Sequence, residues 1–231
     1  MLTWTRNLQA LLNLFLESNC PLCQRLTPKE FCQDCAKQLQ HQLPHLIWLW
    51  QRQLPVYTWG VYGDKLKRAL KALKYENQPQ LARPLGHWLA KSWLDSSLAS
   101  TQLIVVPIPL HTERQKQRGY NQAALLAQSF CEITGLNLQQ SGLERMQATK
   151  AQFGLSVSER EKNLAMAFEL GPGFRHYRPD QPVLLLDDIY TTGATVRSAA
   201  QTLQQQGIIV SGIVAVATAQ RKIERTNMQA L

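Results

Sequence analysis

The sequence predicts an α/β protein built on a parallel sheet, preceded by a small module held by cysteines. Three observations predict it. The apolar runs at 103–110 and 183–186 do not alternate with polar residues, which is how strands covered on both faces read. A helical run at 196–206 and another apolar run at 208–217 follow the second of them, and strand, helix, strand of that length implies a right-handed parallel crossover. Finally, Cys20, Cys23, Cys32 and Cys35 form two CxxC pairs, CPLC and CQDC. A chain of 231 residues accommodates a medium α/β domain plus a small module. The expected division is 1–55 for an N-terminal helix and metal module, and 56–231 for hood helices and core.

In chain order, Leu8, Leu11, Leu12, Phe15 and Leu16 are interrupted by Asn7, Gln9, Asn13 and Glu17 at helical spacing. That pattern is an amphipathic helix rather than a secretory segment, no small-residue cleavage site follows it, and no run of 18 apolar residues occurs elsewhere. A cytoplasmic protein is expected. The two cysteine knuckles can close a tetrahedral Zn²⁺ site, which would cross-link a segment too short to build a core of its own. Disulfides are the alternative, and the lack of a secretory signal disfavours them. Four protein ligands leave no open position, so the metal's role would be structural.

All six tryptophans precede residue 100, and the stretch around Trp48, Trp50, Tyr57 and Trp59 is rich in rings. Such rings either stack on single-stranded bases or fill a core. Residues 64–75, DKLKRALKALKY, put Leu66, Ala69, Leu70 and Leu73 on one helical face. Lys67, Lys71 and Lys74 share a neighbouring stripe flanked by Lys65 and Arg68. Together these five cations are a candidate grip on a nucleic-acid backbone, single-stranded DNA in particular, or else a solvated face. The net charge of +9 favours an anionic partner without choosing among nucleic acid, phosphorylated substrate and membrane surface.

A second helix is expected at 81–93. The strand at 103–110 is ended by Pro107 and Pro109, which cannot donate to a ladder. The basic turn HTERQKQRGYNQ follows, and its Arg114 and Arg118 could serve a leaving diphosphate or simply solvate the surface. Residues 121–134 read as a helix stopped by Gly135, with the lone Cys131 as a core residue. The polar segment 143–168 is either disordered or a lid, and it carries the cations Arg145 and Lys150. A strand is expected at 165–170 and a loop at 171–182.

The stretch VLLLDDIYTTGATV, 183–196, concentrates the chemistry. Asp187 and Asp188 follow the strand, where ligands of open α/β sheets bind. Thr191, Thr192, Gly193, Ala194 and Thr195 then supply hydroxyls and an unhindered backbone just before a helix start, a composition that suits a phosphate. A capping residue alone explains one of these groups. It does not explain two adjacent carboxylates, which repel unless a cation or a hydroxyl-rich ligand meets them.

These residues resemble the phosphoribosyl pyrophosphate (PRPP) loop of type I phosphoribosyltransferases: apolar strand, acid pair, short spacer, TTGxT. The resemblance assigns Asp187 and Asp188 to the ribose hydroxyls and Thr191, Thr192, Gly193 and Thr195 to the 5-phosphate. A wider ordered set includes the CxxC knuckles, the KY ending the basic helix, VPIPLHTERQKQRGYNQA, Arg145, Thr149, Gln152, Leu155, Arg160, Asn163 and Ala167-Phe168. That set is similar to the ComF family of competence-associated proteins. The resemblance implies a zinc module and hood on a type I phosphoribosyltransferase core that binds PRPP with Mg²⁺. It also implies a link to DNA uptake with a helicase-like ATPase partner. Transfer, if it occurs, would use Asp187 and Asp188 at the sugar, and Arg114, Arg118 and a lid cation such as Arg145 or Lys150 at the leaving group.

Overall fold

The structure is a computed structural model that describes residues 18–41, 45–49, 54–146 and 167–219. The expected N-terminal helix, the basic tail, Trp50, and the segment carrying Thr149, Lys150, Gln152, Leu155, Arg160 and Asn163 lie outside the described residues.

The chain opens on two short antiparallel strands, β1 (Ser18–Asn19) and β2 (Leu26–Thr27), followed by helix α1 (Gln33–Gln40). Strands β3 (His45–Leu49) and β4 (Leu54–Val61) pair antiparallel. Next come α2 (Asp64–Tyr75), a 3-10 turn (Pro79–Leu81) and α3 (Ala82–Leu94). The core continues with β5 (Ile104–Pro107), α4 (Thr112–Arg118), α5 (Gln122–Thr134), β6 (Asn137–Leu138) and β7 (Leu143–Arg145). It closes with β8 (Phe168–Leu170), α6 (Pro172–Arg175), β9 (Val183–Tyr190), α7 (Ala194–Gln205) and β10 (Val210–Thr218).

Six strands form one sheet in the order β3-β4-β10-β9-β5-β6, parallel except for the β3–β4 pair. The chain leaves β5 toward β6 at one edge and leaves β9 toward β10 in the other direction. The crevice between the carboxyl ends of β5 and β9 is therefore the topological switch point at which such sheets bind ligands. Successive side chains of β9 face opposite layers. Leu184 and Leu186 join the core formed with α2, α3 and α5, whereas Val183 and Leu185 join the core formed with α7, β8 and α6.

The structure departs from the sequence expectation in four places, two of them brief: the expected loop 171–182 contains α6, and the polar segment from 143 opens with β7. β9 does not end at the acids: β10 pairs with it as far as Tyr190, so Asp187 and Asp188 sit inside the ladder. The basic turn after β5 is a helix, α4, because His111 caps it and Gly119, at φ 81°, closes it in the left-handed conformation.

On the hood side α3 packs closely on α5. A Cβ at Gly86 would stand 2.6 Å from Ser129 Cβ and 2.8 Å from the Leu126 carbonyl, so a larger residue would push the helices apart. Of the ring-rich stretch, Tyr57 and Trp59 are core residues. Trp59 and Trp93 are buried, and Trp88 lies against Trp59 at 5.6 Å and Phe31 at 5.9 Å between ring centroids. Burial pushes the Cys131 thiol up to about 12, in keeping with a core residue.

Candidate functional site

At the carboxyl end of β9 the chain turns through Thr191, Thr192 and Gly193 into α7. Gly193 takes φ 78°, a conformation that favours glycine. A Cβ there would also meet the Tyr190 hydroxyl at 2.6 Å and the Arg197 guanidinium at 3.0 Å. Thr191 and Thr192 are exposed, and the Thr192 hydroxyl accepts from the Ala194 N–H at 3.4 Å. The result is an open turn whose hydroxyls and first-turn N–H groups lie around the positive end of a three-turn helix.

Beneath this turn sit the acids. The Asp188 N–H donates to Asp187 Oδ1 at 2.8 Å, which fixes the Asp187 carboxyl beside its neighbour's backbone. Asp188 is buried, and its Oδ2 lies 2.9 Å from the Lys74 ammonium, the side chains being 4% and 17% exposed. Burial, with the adjacent Asp188 carboxylate, pushes the Asp187 carboxyl up from 3.8 to about 8, against the pull of the Asp188 N–H and Lys74. Two carboxylates thus share one neutralising lysine.

Lys74 also lines a cavity of about 820 Å³, with Tyr75, Asn77, Arg114, Lys116, Gln117, Arg118 and Gly119. Its cations come from the last turn of α2 and from α4. The Arg118 guanidinium lies 5.5 Å from the Tyr75 ring centroid and also donates to Gln122 Oε1, which orients it along the wall. Asn121 caps α5 and donates from Nδ2 to the Ile108 carbonyl at 3.1 Å, tying the α4–α5 corner to the end of β5. Arg145, at the end of β7, lies over the Phe168 ring. Burial, together with the Arg114 cation, holds its guanidinium below its ordinary value, against the pull of Asp187. Arg114 and Arg145 are therefore close enough to repel, an arrangement that an anion between them relieves.

The second centre is the cysteine cluster. The Sγ atoms of Cys20, Cys23, Cys32 and Cys35 lie within 4.8 Å of one another, with Cys23 and Cys32 at 3.5 Å. Burial and the neighbouring sulfurs push the Cys35 thiol up to about 12. Although burial opposes it, the Cys32, Leu22 and Cys23 backbones bring the Cys20 thiol down to about 7. Four such sulfurs cannot all ionise together without a cation among them, so the donor set fits a metal ion.

The structure divides the basic stripe of α2. Lys65 Nζ lies 3.6 Å from Cys35 Sγ, Arg68 pairs with Glu76 at 2.6 Å, and Lys74 turns to Asp188. Lys67 is exposed beside the Tyr62 ring, and Lys71 is exposed. The helical period placed Lys74 with the outward lysines. It could not show that this residue, in the last turn, overhangs the crevice. Tyr75 and Asn77 were likewise missed as cavity residues, and the only sequence signal for them was their position beside Lys74.

Comparison with known proteins bears on this arrangement. No family model matches the chain. It is 29% identical over 211 residues to Competence protein F of Haemophilus influenzae, covering 85% of this chain and 89% of that protein. It is 30% identical over 201 residues to DNA utilization protein YhgH of Escherichia coli strain K12, covering 81% and 85%. The chain belongs to the ComF family. Among solved structures, this ComF-family chain is similar to adenine phosphoribosyltransferase from Saccharomyces cerevisiae, at 13% identity and a TM-score of 0.41, covering 81% of this chain and 89% of that one. The parallel-sheet fold of the ComF-family chain rests on its own strand order and register. No helix of the described residues is long and apolar enough to cross a membrane.

Proposed function

We propose that the crevice binds PRPP with Mg²⁺, and that the protein acts in the handling of DNA during natural transformation. One observation carries the ligand assignment: Lys74 meets the buried acid pair at Asp188 and also lines a cavity with Arg114, Lys116 and Arg118, while the chain runs from the acids straight into a helix-start turn. A ligand that fits all three carries a diol, a terminal phosphate and a diphosphate. In this reading Asp187 and Asp188 take the ribose hydroxyls, and Thr191, Thr192, Gly193, Ala194 and Thr195 take the 5-phosphate. Arg114 and Arg118, with Arg145, take the diphosphate. Lys150, the other candidate lid cation, lies outside the described residues.

The acids also fit Mg²⁺, which is held by one or two carboxylates together with substrate phosphates. When bound, it would neutralise diphosphate charge. If transfer follows, a nucleophilic nitrogen forms a bond to the anomeric carbon as the bond to pyrophosphate breaks. Asp187 and Asp188 then orient the ribose, and Arg114, Arg118 and Arg145 stabilise the departing anion. At the other end of the hood, the cysteine cluster takes a structural Zn²⁺.

The test is calorimetry of the purified protein with PRPP and Mg²⁺, beside an Asp187→Asn, Asp188→Asn double variant. Binding that the variant loses supports the assignment, and equal binding by both overturns it. Pyrophosphate release over a panel of nitrogen bases separates a transferase from a protein that only holds PRPP. The relatives' names and the exposed Lys67 and Lys71 support a second role, contact with single-stranded DNA beside a helicase-like ATPase.

A further inference from the structure

We infer that Lys74 positions Asp188 and thereby divides the acid pair: Asp188 is clamped to the hood helix, and Asp187 is left as the acid that meets ligand. The inference rests on the crevice being the PRPP site, and it assigns the two adjacent acids different work.

The division begins in the strand. In β9 Leu184 and Leu186 face the hood core, and the Lys74 contact places Asp188 on that side as well. On the hood face Asp188 meets Lys74, and both side chains are nearly withdrawn from water. A buried carboxylate there needs a cation, and Lys74 also sits in the last turn of α2, where positive charge suits the helix dipole. Leu66, Leu70 and Leu73 bury the rest of that face of α2, so the lysine is delivered by a packed helix rather than a flexible loop.

Asp187 makes no ion pair among the described residues. The charged groups around the pair are Lys74 from α2, Arg145 from β7 and Arg114 from α4, together with the acids themselves. The direct ion pair of Lys74 is with Asp188 Oδ2, whereas Asp187 is held by the Asp188 N–H on its Oδ1 and lies against the Asp188 carboxyl.

A stability cycle in ligand-free protein tests the clamp. Lys74→Met and Asp188→Asn should each lower the thermal midpoint by roughly 10 °C, because each strands a buried charge or its partner. The double variant should fall by clearly less than the sum. Lys74→Arg should recover most of the loss. Asp187→Asn should leave the midpoint unchanged or raise it, while weakening PRPP with Mg²⁺ by about tenfold or more, as expected when a buried hydrogen-bonding partner is removed. Additive losses in the cycle, or a midpoint loss in Asp187→Asn as large as in Asp188→Asn, would overturn the inference. A wild-type protein that binds no PRPP would instead overturn the ligand assignment, and the stability cycle would still decide the role of Lys74.

Discussion

The cysteine cluster and the acid-pair crevice lie near opposite ends of α2, with Lys65 on Cys35 and Lys74 on Asp188, yet they are built in opposite ways. The cluster draws its four sulfurs from residues 20–35, brought together by two tight turns and one short helix. The crevice draws on α2, α4, β7, β9 and the start of α7, elements distant along the chain that only the completed sheet makes neighbours. A local site ties its chemistry to the folding of its own segment. A long-range site ties its chemistry to the relative placement of layers, which are stable for other reasons.

The largest expected effect tests the local half of that comparison. Cys35→Ser should abolish stoichiometric metal and lower the thermal midpoint by about 10 °C or more, since structural metal binding is folding free energy in such modules. Metal analysis and calorimetric melting check both. Phe31, Cys35 and Leu39 share a core with α2, so part of the loss should come from that packing. PRPP affinity should fall less than in the acid variants.

Next in size is Gly193→Ala. A methyl group forced against the Tyr190 hydroxyl in a left-handed turn should cost about 1–3 kcal/mol and weaken PRPP by about tenfold, measured by calorimetry. If the variant binds normally, the phosphate does not sit on this turn. Smaller again is Arg114→Ala, which should weaken pyrophosphate about fivefold and reduce the salt sensitivity of its binding.

The pH dependence distinguishes the two centres in another way. The folded-state carboxyl of Asp187 lies at about 8 and its ordinary value is 3.8, so its contribution to stability is fully present below 3.8 and is lost as pH rises through about 8. Asp187→Asn should remove that decline, making the variant gain on wild type between pH 4 and pH 8. Urea melts across that range check the sign. The smallest effect is expected for Lys67→Ala with Lys71→Ala, which should leave stability and PRPP binding unchanged. It should weaken single-stranded DNA by only a few fold and flatten the salt slope.

The local centre was fully legible in the sequence, because CPLC and CQDC place their sulfurs by turn geometry alone. The glycine turn was nearly as legible: TTG before a helical run fixes an open, glycine-dependent helix start whatever surrounds it. The acid pair was legible as chemistry and misjudged as geometry. An apolar run marks where a strand is buried, whereas the end of β9 is set by the reach of β10, which pairs as far as Tyr190. The helix α4 was hidden because a short polar run with no buried face carries no periodic signal.

By itself, then, the sequence determined the parallel-sheet class, the four-sulfur cluster, the acid pair and the glycine turn. Each of these depends on residues adjacent in the chain or on a repeating burial pattern. Tertiary structure alone decided that Asp187 and Asp188 lie within the β9–β10 ladder and that Lys74 leaves its stripe for Asp188. It also decided that α4 brings its arginines to the wall of the same crevice. These are facts about which layers pack together, and the packing of α2 against the hood face of the sheet fixes where the last lysine of a basic helix comes to rest.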